Sequence, residues 1–104
     1  MRKAIISVDD QEAGVFIEIE PGKKYRFVYN PGYRGNPVSL TLPVRPEAFE
    51  FDTFPPFFDG LLPEGYQVEG LLKFSKIDRN DLFSQLMAVG EDMVGNTTAK
   101  EVLL

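Results

Sequence analysis

The stretch 15-VFIEIEPGKKYRFVY-29 decides how this 104-residue chain is read. Apolar residues recur at every second position, Val15, Ile17 and Ile19 and then Tyr25, Phe27 and Tyr29, which is the period of strands that each bury one face. Between them Pro21-Gly22 joins a residue that presets φ to one that accepts positive φ, the chemistry of a tight turn. The stretch therefore reads as an antiparallel hairpin. Working towards the N-terminus, Ala4 to Val8 supplies a first strand, joined to the hairpin by Asp9-Asp10. Working towards the C-terminus, Val38, Leu40, Leu42 and Val44 keep the same period beyond the turn-rich segment 30-NPGYRGNP-37. The first 44 residues are expected to form an antiparallel meander. Asp9, Asp10 and Glu12 raise the thought of a cation site, but three carboxylates without the rest of a calcium loop point to a plain hairpin turn.

Beyond residue 50 the period changes from two to about 3.6. In 54-FPPFFDGLLPEGYQVE-69, Phe54, Phe57, Phe58, Leu61 and Leu62 fall on one helical stripe, with Asp52 or Thr53 as cap and Pro55-Pro56 in the first turn, where a missing N–H costs little. A second short helix is expected after Gly65, carrying Val68, Leu71 and Leu72. A third is capped by Asp78 or Asn80, carries Leu82, Phe83, Leu86 and Met87, and ends at Gly90. Residues 94–100 read as a turn and a last strand. The expected fold is α+β, an antiparallel sheet of about five strands with about three helices on one side, in a single domain over residues 1–104. Phe27, Leu40, Phe57, Phe58, Leu61, Leu82, Phe83 and Leu86 are expected to share one core.

Composition narrows the function classes. Forty-three per cent apolar residues with nine Phe and four Tyr describe a chain that packs, and this length allows one core. Sixteen acidic against eleven basic residues leave a formal charge of −5, which repels a polyanion on average, so no direct nucleic-acid binding is expected. Lys23-Lys24-Arg26 reads as the solvated edge of a strand. The chain has no Cys and no His, which removes disulfides, thiol nucleophiles, the usual zinc ligands and the commonest general base. Asp9-Asp10 interrupts the basic N-terminus before an apolar leader can develop, and no stretch approaches the roughly 20 apolar residues of a membrane span. The expectation is a cytoplasmic protein without cofactor or metal.

No constellation singles out chemistry. Asp59 and Glu64 flank the aromatic stripe and Glu91-Asp92 follow Gly90, yet nothing in their spacing marks an acid-base pair for hydrolysis. The glycines of residues 30–37 lack the Lys-Ser/Thr of a phosphate loop and precede no helix. What stands out is the breaker Pro63-Glu64-Gly65, which redirects the chain so that Tyr66 need not share the side of the stripe. Tyr66 is then either half-packed on its own domain or an exposed anchor for a partner, since an aromatic offers much contact area for few frozen torsions.

The order 37-PVSLTLP-43, 57-FFDGLLPEG-65, then Asp81-Leu82-Phe83 to 90-GEDMVG-95 resembles the N-terminal subdomain of HipA-type Ser/Thr kinases, over about residues 3 to 102. The resemblance implies a domain that precedes a kinase core in a toxin held in check by a DNA-binding antitoxin. The core's nucleotide-binding and catalytic residues have no counterparts here, so no enzymatic activity is implied. A separate copy resembles the small subunit, HipS, of the three-component HipBST toxin-antitoxin system. That likeness implies a non-catalytic antitoxin that binds and inhibits a shortened kinase, HipT, with the helix-turn-helix protein HipB as an indirect partner. It places the kinase contact at Glu64, Gly65 and Tyr66, with Tyr66 where such subunits commonly carry a bulky aromatic beside the "LLPEG" turn. The alternatives are a subunit that completes the kinase fold and is needed for its activity, or a solitary binding module.

Overall fold

The computed structural model describes residues 2–60, 81–90 and 97–102. Its centre is one antiparallel sheet built from β1 (Arg2–Val8), β2 (Gln11–Glu20), β3 (Lys24–Tyr29), β4 (Phe49–Phe51) and β5 (Thr97–Glu101), in the spatial order β4-β3-β2-β1-β5. The first three strands form the expected meander, β4 pairs along the outer side of β3, and β5 returns to the free side of β1.

Local chemistry accounts for the turns. Val8 faces Gln11, so Asp9-Asp10 is a two-residue hairpin loop, and both residues have positive φ, 51° and 64°. This is the backbone of a type I′ turn, whose twist matches that of the strands it joins. Glu20-Pro21-Gly22-Lys23 closes with Lys23 N donating to Glu20 O at 2.9 Å, and Gly22 takes φ of 74°. Asn30-Pro31-Gly32-Tyr33 repeats the device, with a 3.1 Å bond from Tyr33 N to Asn30 O and φ of 79° at Gly32. Proline followed by a positive-φ glycine is the type II pattern, and it was legible in the sequence.

The fourth strand is a correction. Residues 38–44 were expected to form it, but Phe49–Phe51 does, pairing with β3 through Tyr25↔Phe51 and Phe27↔Phe49. Pro37 and Pro43 remove ladder donors, and Ser39 and Thr41 bond to each other and to their own backbone instead of leaving it free for a partner strand. The segment folds into a loop held by the lone bridge Ser39↔Leu42. Val38 and Leu42 are buried, whereas Leu40, expected in the core, is 96% exposed.

Two helices are found among the described residues. Helix α1 (Pro56–Asp59) starts with Pro56 at its first position, and Pro55 stands at the N-cap without a side-chain bond, so neither Asp52 nor Thr53 fills that place. Helix α2 (Leu82–Val89) is capped by Asp81 rather than by the expected Asp78 or Asn80; the Asp81 carboxylate accepts from Ser84 N at 3.1 Å, and the helix ends at Gly90 as expected. The helix expected around Val68–Leu72, and Leu61 and Leu62, lie outside the described residues. No helix of the described residues is long and apolar enough to cross a membrane.

Both helices pack on one face of the sheet, and Phe16 is the meeting point. Its ring stacks on Phe58 at 4.4 Å and on Phe83 at 5.5 Å, meets Tyr25 at 5.8 Å and takes the edge of Phe54 at 5.7 Å. Phe27, Phe58, Phe83 and Leu86 are fully buried around it, while Phe57 and Leu82 are partly buried against the same cluster. The face of β2 is a second correction, because Val15, Ile17 and Ile19 are half-buried on the opposite side and Phe16 and Glu18 point to the core. The cause is a β-bulge. Counted from the Asp9-Asp10 turn, Ala4 would face Val15 and Arg2 would face Ile17. An irregularity between Ile6 and Ser7 makes the actual pairs Ala4↔Phe16 and Arg2↔Glu18. A one-residue slip of this kind moves every later side chain to the other face.

Candidate functional site

Glu64, Gly65 and Tyr66, the residues assigned to partner contact from the sequence, lie outside the described residues, as do Glu91 and Asp92. What the structure places is the framework on either side of residues 61–80. Upstream, the sequence Phe57-Phe58 on a one-turn helix puts Phe58 wholly inside, against Phe16 and 6.1 Å from Phe27, and Asp59 on the surface. The aromatic stripe thus holds α1 on the sheet.

Downstream, the start of α2 is tied to the sheet through charge. Arg2 reaches from β1 to its register partner on β2 and grips the carboxylate of Glu18 with two guanidinium nitrogens, Nε to Oε1 at 2.6 Å and Nη2 to Oε2 at 2.8 Å. The same Nη2 donates to Asp81 Oδ1 at 2.9 Å and Nη1 to Ser84 Oγ at 2.6 Å, while Ser84 Oγ donates back to Asp81 Oδ2 at 2.7 Å. The guanidinium also lies 4.9 Å from the centre of the Phe83 ring. Glu18 is almost fully buried, and its fork-to-fork pairing answers the cost of burying a carboxylate. Hydrogen bonding to Glu18 raises the Arg2 pKa further above its already high range, against the opposing pull of burial. For Asp81 burial acts upward, but the bonds from Arg2 and Ser84 outweigh it and hold the carboxyl below its usual range.

Sequence reasoning missed this cluster. Spacing from the hairpin turn would have put Ile17, not Glu18, across from Arg2, and the bulge that brings the two charges together has no signature beyond Gly14. There an added Cβ would fall 2.3 Å from Val28 O, so only glycine lets β3 approach.

The other built feature is the loop of residues 36–46. The Tyr29 hydroxyl, buried beneath it, accepts from Val38 N at 2.9 Å and donates to Leu42 O, joining the two limbs of the loop. Leu42 N donates to Ser39 O at 3.0 Å across the tip, and Ser39 Oγ accepts from Thr41 N at 3.2 Å. Leu40 stands at that tip. Beside the loop is a cleft of about 420 Å³ lined by Val28, Tyr29, Tyr33, Val44 and Pro46. Arg45, also on its wall, lies over the Phe49 ring at 3.7 Å and donates to Glu47 O and Ala48 O. Burial pushes the Tyr29 and Tyr33 phenols above their usual range, so neither ionises readily. The loop and cleft offer shape and apolar surface.

The HipA N-terminal domain model matches residues 4–100. The chain belongs to the HipA N-terminal domain family. A solved structure described as the N-terminal domain of HipA toxin is 31% identical with a TM-score of 0.76, covering 99% of this chain and 94% of that one. An uncharacterized protein of Haemophilus influenzae is 37% identical over 90 residues, which are 85% of this chain and 85% of that protein. In this HipA N-terminal domain, the motifs that carry the resemblance fall at different places in the fold. "SLTLP" forms the loop tip above Tyr29, "FFDG" supplies the last three residues of α1 and its C-cap Gly60, and "LLPEG" lies outside the described residues.

Proposed function

We propose that this chain is a non-catalytic subunit that binds a HipA-type Ser/Thr kinase core in trans and restrains it, in a complex with a HipB-like DNA-binding protein. The observation that carries the reading is a pairing of relatives. One similar structure is the N-terminal domain of HipA toxin, while 90 aligned residues make up 85% of the Haemophilus influenzae relative, which is therefore itself about as long as this chain. A domain found in a toxin and also as a short protein is suited to docking on a toxin core supplied by another gene. The net charge of −5 agrees with a role at protein rather than at DNA. Within this reading, Glu64, Gly65 and Tyr66 meet the kinase; in the sequence they fall between two segments tied to the sheet, α1 through Phe58 and the start of α2 through Arg2.

Coexpression tests the proposal. The chain is produced together with a HipA-type kinase that lacks its own N-terminal domain, taken from the same genome, and growth is followed. Restraint predicts that cells poisoned by the kinase alone recover when the chain is added. Toxicity that arises only when both are made would overturn it in favour of a subunit that completes the kinase fold.

A further inference from the structure

Of the large apolar side chains among the described residues, Leu40 and Val44 stand out as exposed, at 96% and 41%, and both belong to the same loop. A single exposed leucine is ordinary on a protein surface. This one is held out by a built support. Tyr29, a core residue, spends its hydroxyl on both limbs of the loop, and the Ser39 and Thr41 side chains satisfy the tip from within. The stretch 36-NPVSLTLPV-44 contains no charged residue in a chain of charge −5. Pro37 and Pro43 stiffen its two limbs. A tip fixed before contact loses little conformational entropy on docking. The neighbouring cleft adds Val44, Pro46 and Tyr33 as an apolar shoulder.

We infer that the 36–44 loop is a second docking element, in which Leu40 enters an apolar, uncharged pocket on the kinase core while Val44 and the cleft's rim close over its edge. The inference rests on the function proposed above. A second copy of the chain is the poorer occupant, because two bodies of charge −5 repel each other and Arg45, the cation beside the loop, is already engaged with the Phe49 ring and the Glu47 and Ala48 carbonyls. The contact lies on a different segment from Glu64–Tyr66, so the two act as separate anchors on one partner.

The test measures binding of the full chain and its variants to the HipA-type kinase of the same genome by titration calorimetry, with thermal unfolding and sedimentation of each variant alone. Leu40→Ala is expected to weaken binding at least about tenfold, the worth of burying a leucine, and Leu40→Asp further, with the unfolding midpoint unchanged. Tyr29→Phe, which keeps the ring and removes the clamp, is expected to weaken binding while Leu40 itself is intact. Equal binding by wild type and Leu40→Asp would overturn this inference and leave the proposed function standing. Failure of the wild-type chain to bind would overturn both. A wild-type dimer that Leu40→Asp dissolves would make the occupant a second copy and overturn the kinase assignment.

Discussion

Phe16 gathers the aromatic core, and Phe58 is its tightest neighbour, fully buried with ring centres 4.4 Å apart. Phe58→Ala is expected to cost about 3–5 kcal/mol, since it removes a stacked ring and leaves a cavity that rigid neighbours cannot fill. Urea denaturation checks this, and a midpoint that hardly moves would place Phe58 outside the core. Phe58 was recognisable from its helical spacing. Phe16 was not, because Val15, Ile17 and Ile19 offered an equally good alternating set on the same strand. Asp81 makes a second prediction at this scale. Its carboxyl is held below the usual range by Arg2 and Ser84 against the pull of burial, so its contribution to stability is fully present above the unfolded value of 3.8 and is lost as pH falls through the lower folded value. Asp81→Asn should therefore lower the unfolding midpoint at neutral pH, and the gap between variant and wild type should narrow as pH drops below about 4. Unfolding followed by circular dichroism between pH 2 and 7 reads the difference.

At the scale of elements, turns were the most legible parts of the chain and loops the least. Pro21-Gly22 and Pro31-Gly32 announce type II turns because each residue excludes the alternatives by its own geometry. Asp9-Asp10 adopts positive φ at both positions without glycine, an arrangement that costs an L-residue about 1–2 kcal/mol at each site in the left-handed region. Asp10→Gly should relieve that cost at the second position. After subtracting the roughly 0.5–1 kcal/mol of added unfolded-state entropy, a net stabilisation of about 0.5–1 kcal/mol is expected, read as a higher urea midpoint. Asp9 is the worse site for the exchange, because its carboxylate accepts from Asn36 Nδ2 at 3.3 Å. The 38–44 segment carried a strand period and became a loop. Its hydroxyl side chains and prolines withdraw the backbone groups a ladder needs, and Phe49–Phe51 takes the vacant edge of β3.

At the scale of the whole molecule, the sheet carries everything else. Arg2 ties the first strand to both Glu18 and the start of α2, so a single side chain links the sheet to the segment that begins after residue 80. On this frame the proposed anchor Tyr66 makes a clear prediction. Tyr66→Ala should leave the stability of the free domain nearly unchanged and weaken binding to the HipA-type kinase by at least about 2 kcal/mol, roughly thirtyfold. Glu64→Ala should do less, because a carboxylate at a wet rim gains little from pairing. Calorimetric binding and thermal unfolding on the same samples decide it. A Tyr66→Ala variant that unfolds would make Tyr66 part of the core and shift the contact to charge.

The sequence by itself determined the class of fold, the first three strands, both turns of the Pro-Gly type, the end of α2 at Gly90 and the family, since each depends on short-range periodicity, on residues with restricted φ, or on the order of motifs along the chain. Only the tertiary structure decided which face of β2 is buried, which segment is the fourth strand and where Leu40 points. The physical reason is shared. Val15 and Phe16 are equally apolar neighbours on one strand, and an alternating pattern cannot choose between them. The choice is made by a single bulged residue that brings Arg2 opposite Glu18 and Ala4 opposite Phe16, by the approach of β3 at Gly14, and by a tyrosine hydroxyl that bends a strand-like segment into a loop from below.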